Sequence, residues 1–217
     1  MTVRLAQDIG MEQVSRFAER VGVYDHLDPY LSMSLGAGEV TVWNMAASYA
    51  AFVNGGRQVT PRLFDRVQDR EGATIYQMDT RECPGCNEEY TGQAPPVLAD
   101  TREQVIDPIT AFQITYMLQG VVERGTAAGI RRQCPRGGPE AALGVDDIPT
   151  LCEHTLGGKT GTTNDYMDAW FMGFSPDLVV GIYVGFDEPR SMGNGEAGGS
   201  VAAPVSYTHL TLPTTSK

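Results

Sequence analysis

The stretch Leu156-Gly157-Gly158-Lys159-Thr160-Gly161-Thr162-Thr163 is the part of this chain best equipped for chemistry. Lys159 is one of two lysines in 217 residues, the other being Lys217, so arginine supplies fourteen of the sixteen cationic side chains. Arginine holds its charge and is a poor proton shuttle, whereas lysine is a compact ammonium that responds to burial. Set between glycines and small hydroxyls, Lys159 can hold a substrate carboxylate beside a reacting centre. Thr160 and Thr162 can donate hydrogen bonds to the same carboxylate. Gly161, without a side chain, lets a substrate backbone lie along the segment as an added strand.

Gly-Lys-Thr also ends the phosphate-binding loop, which requires Gly-x-x-x-x-Gly-Lys-Thr. The first glycine of that pattern falls at Glu153, whose carboxylate repels phosphate, and Pro149-Thr150-Leu151-Cys152 makes a poor buried strand. The phosphate loop is therefore set aside. Other nucleophile schemes fare no better. Gly173-Phe174-Ser175-Pro176-Asp177 lacks the closing glycine of a nucleophile elbow, and Gly198-Gly199-Ser200-Val201-Ala202 follows a glycine-rich loop rather than a strand. His26, His154 and His209 stand in contexts that offer no Ser-His-Asp triad.

The elements that must position Lys159 are legible from periodicity and caps. Val14, Phe17, Ala18 and Val21 lie at helical spacing and Gly22 stops that helix. Thr41 is an N-cap for a helix carrying Val42, Met45, Tyr49, Phe52 and Val53, closed by Gly55-Gly56. Residues 63–76 alternate around Asp69-Arg70-Glu71-Gly72 as a β-hairpin. Asp107-Pro108 opens a long helix that runs to near Gly125. Residues 79–104 and 131–150 read as surface insertions. From residue 156 the period changes, and runs at 156–163, 168–174 and 179–186 form an antiparallel meander with Lys159 on its first strand.

The match to a known pattern extends far beyond three residues. Lys159-Thr160-Gly161 is followed by Asn164-Asp165-Tyr166-Met167-Asp168-Ala169-Trp170-Phe171-Met172-Gly173-Phe174-Ser175-Pro176-Asp177. Ser34-Leu35-Gly36-Ala37-Gly38-Glu39-Val40-Thr41, Phe52-Val53-Asn54-Gly55-Gly56 and Met117-Leu118-Gln119-Gly120-Val121-Val122-Glu123-Arg124-Gly125-Thr126 fit the same pattern in order. Together they resemble the transpeptidase domain of class A, bifunctional penicillin-binding proteins. The resemblance implies an α+β fold, with an antiparallel sheet (five-stranded in the family) flanked by helices, truncated here at both ends. It makes residues 1–205 a partial transpeptidase domain. Residues 206–217, rich in threonine and without helical period, read as a non-native tail.

The resemblance also implies the chemistry. A serine attacks a D-Ala-D-Ala stem peptide, D-alanine leaves, and the acyl group passes to an amine; β-lactams acylate the same serine. Lys159, Thr160, Gly161 and Thr162 would bind the substrate, and the Thr162 backbone N–H would donate in the oxyanion hole. The family's nucleophile motif, Ser-x-x-Lys, and its Ser-x-Asn element occur nowhere in the chain. The expectation is therefore a chain that begins just past Ser-x-Asn and is inactive alone. Two alternatives stand beside it. One is a related serine β-lactamase or D,D-carboxypeptidase; the other is a non-catalytic module of a cell-wall complex.

Composition bounds the partners. A formal net charge of −11 argues against nucleic acid, whose binding rests on phosphate neutralisation. No apolar run reaches the roughly 18 residues of a membrane span, and no cofactor or metal is expected. Cys83, Cys86, Cys134 and Cys152 leave three readings open: disulfides or idle thiols, a tetrathiolate zinc site, or a redox Cys-x-x-Cys. Zinc ribbons use paired knuckles, whereas Cys134 and Cys152 are eighteen positions apart. The family implies a periplasmic domain of an inner-membrane-anchored bacterial protein, and that compartment favours disulfides. It also implies that membrane contact comes only through a missing N-terminal anchor, that stem peptides and β-lactams bind through the complete parent, and that other cell-wall proteins are partners.

Overall fold

Glycines and caps punctuate the chain, and the computed structural model places the elements they delimit; it describes residues 1–86, 89, 91–94, 96, 98–133 and 155–206. The chain divides into two units, Met1–Val59 with Gln104–Lys217, and Thr60–Glu103.

In the first unit, helices α1 (Thr2–Ile9) and α2 (Met11–Arg20) meet at Gly10, whose φ of +91° suits a residue without Cβ. The helix read from the spacing of Val14, Phe17, Ala18 and Val21 is thus present, and α1 precedes it. The Ser15 hydroxyl donates to Leu27 O, and Ser48 donates to Val21 O at 3.0 Å, so buried hydroxyls anchor the segment after α2. Helix α3 (Val42–Val53) starts where Thr41 Oγ1 accepts from Asn44 N at 3.1 Å. Helix α4 (Pro108–Glu123) starts where Asp107 accepts from Ile109 N and Thr110 N, with Pro108 in the first turn. Between them Gly56 (φ +95°) approaches Ile106 so closely that a Cβ would overlap Ile106 O. Val21, Ala51, Val105, Ile106 and Ala111 form one core there.

Helix α5 (Gly129–Gln133) follows, and then the sheet. Strands β3 (Gly157–Thr162), β4 (Asp168–Phe174) and β5 (Val179–Gly185) pair antiparallel in the order β3-β4-β5. These are the three strands of this sheet among the described residues. Helices cover both faces. A Cβ on Gly181 would lie 2.8 Å from Val42 Cγ1 of α3. The opposite face packs Ala169 and Phe171 against Val122, Ala127, Ile130, Ala202 and Ala203. The fold is α+β with an antiparallel sheet flanked by helices, as the sequence indicated.

The second unit contains the hairpin of β1 (Arg66–Gln68) and β2 (Thr74–Gln77). Asp69 Oδ1 accepts from Glu71 N and Ala73 N, fixing the turn. Arg81 forks onto Asp79, with Nε–Oδ1 at 2.8 Å and Nη2–Oδ2 at 2.5 Å, and its Nη1 donates to Ala99 O at 3.0 Å. Arg102 forks onto Asp100 in the same way. Cys83 and Cys86 form a disulfide. Cys134 and Cys152, like most of the 131–150 insertion and residues 207–217, lie outside the described residues. Among the described residues no group of side chains is arranged to hold a metal.

The Arg81 side-chain hydrogen bond, followed by its backbone N–H, lowers the Asp79 pKa from 3.8 to about 2. The folded value lies below the unfolded one, so this contribution is present above 3.8 and is lost as pH falls through about 2. NMR titration of the Asp79 carboxyl should give a midpoint near 2, and Arg81→Ala should return it toward 3.8. A midpoint indifferent to the substitution overturns the fork.

Candidate active site

The antiparallel register assigns each residue of β3 to a face. Lys159 pairs with Met172 and Met172 with Gly181; Gly161 pairs with Trp170 and Trp170 with Tyr183. Directly opposed residues project to the same side. Lys159, Gly161, Trp170, Met172 and Tyr183 therefore share the face turned toward α3. Thr160, opposite Phe171, and Thr162, opposite Ala169, share the other.

On the α3 side the sheet opens into a cleft of ≈ 1100 Å³. Lys159, Gly161, Trp170 and Tyr183 form part of its floor, and Leu35–Thr41 with Tyr24 and Met45 form the facing wall. That wall is held in place locally. Tyr24 Oη donates to Gly38 O at 3.2 Å, and a Cβ on Gly38 would press on the Tyr24 ring. Thr41 ends the wall by capping α3. Lys159 is the only Lys or Arg among the described residues lining the cleft, which also presents the carboxylates of Glu39, Asp165 and Asp168.

Lys159 is exposed, and its Nζ donates to Thr160 O at 2.6 Å. Thr160 is buried, with its Oγ1 2.6 Å from Thr126 Oγ1. Thr162 is exposed, and its Oγ1 accepts from Gly198 N at 3.1 Å. The two hydroxyls that the sequence groups with the Lys159 ammonium thus project from the opposite face of the strand. Gly161 is approached from both sides: a Cβ there would lie 3.1 Å from Trp170 Cβ, and a Cβ on Gly198 would lie 2.5 Å from Gly161 O.

The turn from β3 to β4 carries two consecutive non-glycine residues with positive φ, Asp165 (+60°) and Tyr166 (+55°). Thr163 Oγ1 accepts from Asp168 N at 2.7 Å, and Tyr166 O accepts from Met192 N at 2.9 Å, so the conformation is held from both sides. Tyr183 Oη donates to Asp168 Oδ1 at 2.8 Å, and that bond raises the Tyr183 pKa, with burial and the Asp168 charge adding to it. The Trp170 and Tyr183 rings meet edge-on at 5.0 Å.

Sequence reasoning gave no site role to Thr126, Gly198, Tyr24, Trp170 or Tyr183, although Thr126, Gly198 and Trp170 fall within segments it quoted. The Gly198-Gly199 pair carried a signal for one of them, Gly198, since adjacent glycines mark close backbone approach. Among the described residues no base is bonded to either serine: Ser175 Oγ accepts from Asp177 N, and Ser200 donates to Gly195 O at 2.7 Å. His26 sits beside Glu19 and Asp28 on the surface. His154 and His209 lie outside the described residues.

Residues 1–210 match the family model described as the penicillin binding protein transpeptidase domain. Penicillin-binding protein 1A of Rickettsia bellii is 36% identical over 208 residues, covering 94% of this chain and 24% of that protein. Penicillin-binding protein 1A of Neisseria gonorrhoeae is 37% identical over 206 residues, covering 94% of this chain and 22% of that protein. The crystal structure of penicillin-binding protein 1A from Haemophilus influenzae superposes with a TM-score of 0.71 at 26% identity, covering 99% of this chain and 32% of that one. The chain spans about a quarter of the length of the curated relatives it matches.

The contact of Gly198 with β3 is backbone on backbone and cannot yield. Gly198→Ala should therefore destabilise the chain by about 1–3 kcal/mol. Thr160→Val, which removes the bond to Thr126, should cost about 1 kcal/mol. Urea unfolding of the two variants reads the order, and the reverse order overturns the close approach.

Proposed function

The chain belongs to the penicillin-binding protein transpeptidase family, and from that premise we propose that it supplies one side of a peptidoglycan D,D-transpeptidase site. The observation that carries this reading is Lys159, placed on an edge strand and facing a cleft walled by Leu35–Thr41.

In the whole protein, a serine outside these 217 residues attacks the carbonyl of the penultimate D-alanine. The peptide bond breaks, D-alanine leaves, and the acyl-serine passes its acyl group to an amine. Lys159 offers its ammonium to the terminal carboxylate at the cleft. Thr162 contributes its backbone N–H to the oxyanion, a donor whose loss typically costs about 3 kcal/mol of transition-state stabilisation. Its exposed hydroxyl accepts from Gly198 N and keeps a proton to donate. Thr160 acts mainly through its main chain, because its side chain is engaged with Thr126. The outer edge of β3 lets the stem peptide run alongside Gly161 as an added strand.

These 217 residues contain neither Ser-x-x-Lys nor Ser-x-Asn, so we infer that they form no acyl-enzyme by themselves. We further infer a periplasmic location, an anchor outside this sequence, a transpeptidase region at 1–205 and a non-native tail at 206–217. Among the described residues no helix is long and apolar enough to cross a membrane.

Two measurements test the reading. The isolated chain, incubated with a fluorescent penicillin and boiled in detergent, should run as an unlabelled band; a labelled one means that a nucleophile is present after all. In the whole protein, Lys159→Ala should slow acylation by β-lactams about a hundredfold or more, in the range for losing a charge-assisted contact at a reacting site. Unchanged acylation removes Lys159 from the site.

A further inference from the structure

Cys83-Pro84-Gly85-Cys86 is a backbone turn as well as a cross-link. Proline presets φ at position 84, Gly85 takes φ +86°, and Cys86 N donates to Cys83 O at 3.2 Å. Proline second and a left-handed glycine third are the residues of a type II turn. The turn brings the two cysteines to a Cα–Cα separation of 5.5 Å. The disulfide bridges residues only three apart in sequence. The chain entropy that a disulfide removes from the unfolded state grows with loop length, so this bridge restrains the chain little. The longer excursion is closed by other means, since Arg81 Nη1 reaches Ala99 O. The pair is also within reach of solvent: Cys86 is exposed and Cys83 half-buried. Exposed disulfides are the ones open to exchange.

We propose that Cys83–Cys86 is a reversible thiol–disulfide exchange site whose partner is a dithiol oxidoreductase. A thiolate of the partner attacks Cys86 Sγ, the more exposed sulfur. A mixed disulfide forms, the Cys83–Cys86 bond breaks, and the Cys83 thiolate leaves and takes up a proton. The partner's second thiol then attacks its own sulfur in the mixed disulfide, freeing the Cys86 thiolate, which is protonated in turn. Two electrons and two protons have passed from the partner dithiol, now a disulfide, to the cysteine pair. The reverse sequence restores the bridge. Because the turn keeps its Cys86 N–H···O=C Cys83 bond in either state, the two thiols stay adjacent and the exchange leaves the rest of the unit in place.

Glutathione serves as the probe. The full 217-residue chain is equilibrated without denaturant in glutathione buffers, quenched in acid, alkylated and digested, and the peptide carrying Cys83 and Cys86 is quantified by mass. At about 10 mM reduced glutathione the pair should be at least half reduced, with an unchanged melting midpoint, and oxidised glutathione should restore it. Gly85→Ala, which puts a side chain on a left-handed residue, should slow that restoration about tenfold. A pair that stays oxidised at this concentration is a structural staple, as is one whose reduction lowers the melting midpoint; either result overturns the proposal. A restoration rate unaffected by Gly85→Ala overturns the part assigned to the turn.

Discussion

Three positions without a Cβ on one strand decide how this sheet is built. A side chain on Gly157 would collide with the Phe174 ring, one on Gly158 with Met172 O and the Phe171 ring, and one on Gly161 would crowd Trp170 Cβ at 3.1 Å. The aromatic residues of β4 therefore lie across the glycines of β3, and the register that pairs Lys159 with Met172 is the one that seats all three. A slip of β3 by one residue would turn its side chains to the other face. Lys159 would then enter, unpaired, the core that Phe171 shares with Val122 and Ala202, at a cost of several kcal/mol. Packing thus fixes the face on which Lys159 appears.

The same glycines explain why the strand is approached from so many sides. Gly198 lies over Gly161 on the face opposite the cleft, and Gly199 lies over Thr126 and Thr160. Thr160 joins that layer through its hydroxyl, so the strand is clamped on the face opposite Lys159. The cleft face keeps Lys159 exposed above a floor of Trp170 and Tyr183. Rigid backing behind an exposed cation is how a site holds its geometry without ordering the ligand-side group by contact.

Much of this was legible in the sequence where a local rule settles the structure. Thr41 and Asp107 cap the helices they were expected to cap, and the three strands fall where the alternation places them, because caps and period act within a few residues. Helix α1 escaped because Gly10 interrupts the pattern after only eight residues, too few for periodicity to register. The faces of Thr160 and Thr162 follow from a period of two and could have been read, but treating Lys-Thr-Gly-Thr as one cluster hid them. The role of Gly198 required knowing what it lies against, 37 positions away at Gly161, and no local rule carries that.

Lys159 as read from sequence was a cation among small residues; the structure gives it a face, a floor and an opposing wall. That wall, Leu35–Thr41, sits more than 110 positions earlier in the chain and contains no side chain whose chemistry would have singled it out, apart from Glu39. Its placement rests on Tyr24, which reaches Gly38 O, and on Thr41, which starts the helix packed against β5. A motif search finds the strand because chemistry restricts its residues. The wall is specified by packing, which many sequences satisfy, and so its place opposite Lys159 becomes visible only once the two are seen across the cleft from one another.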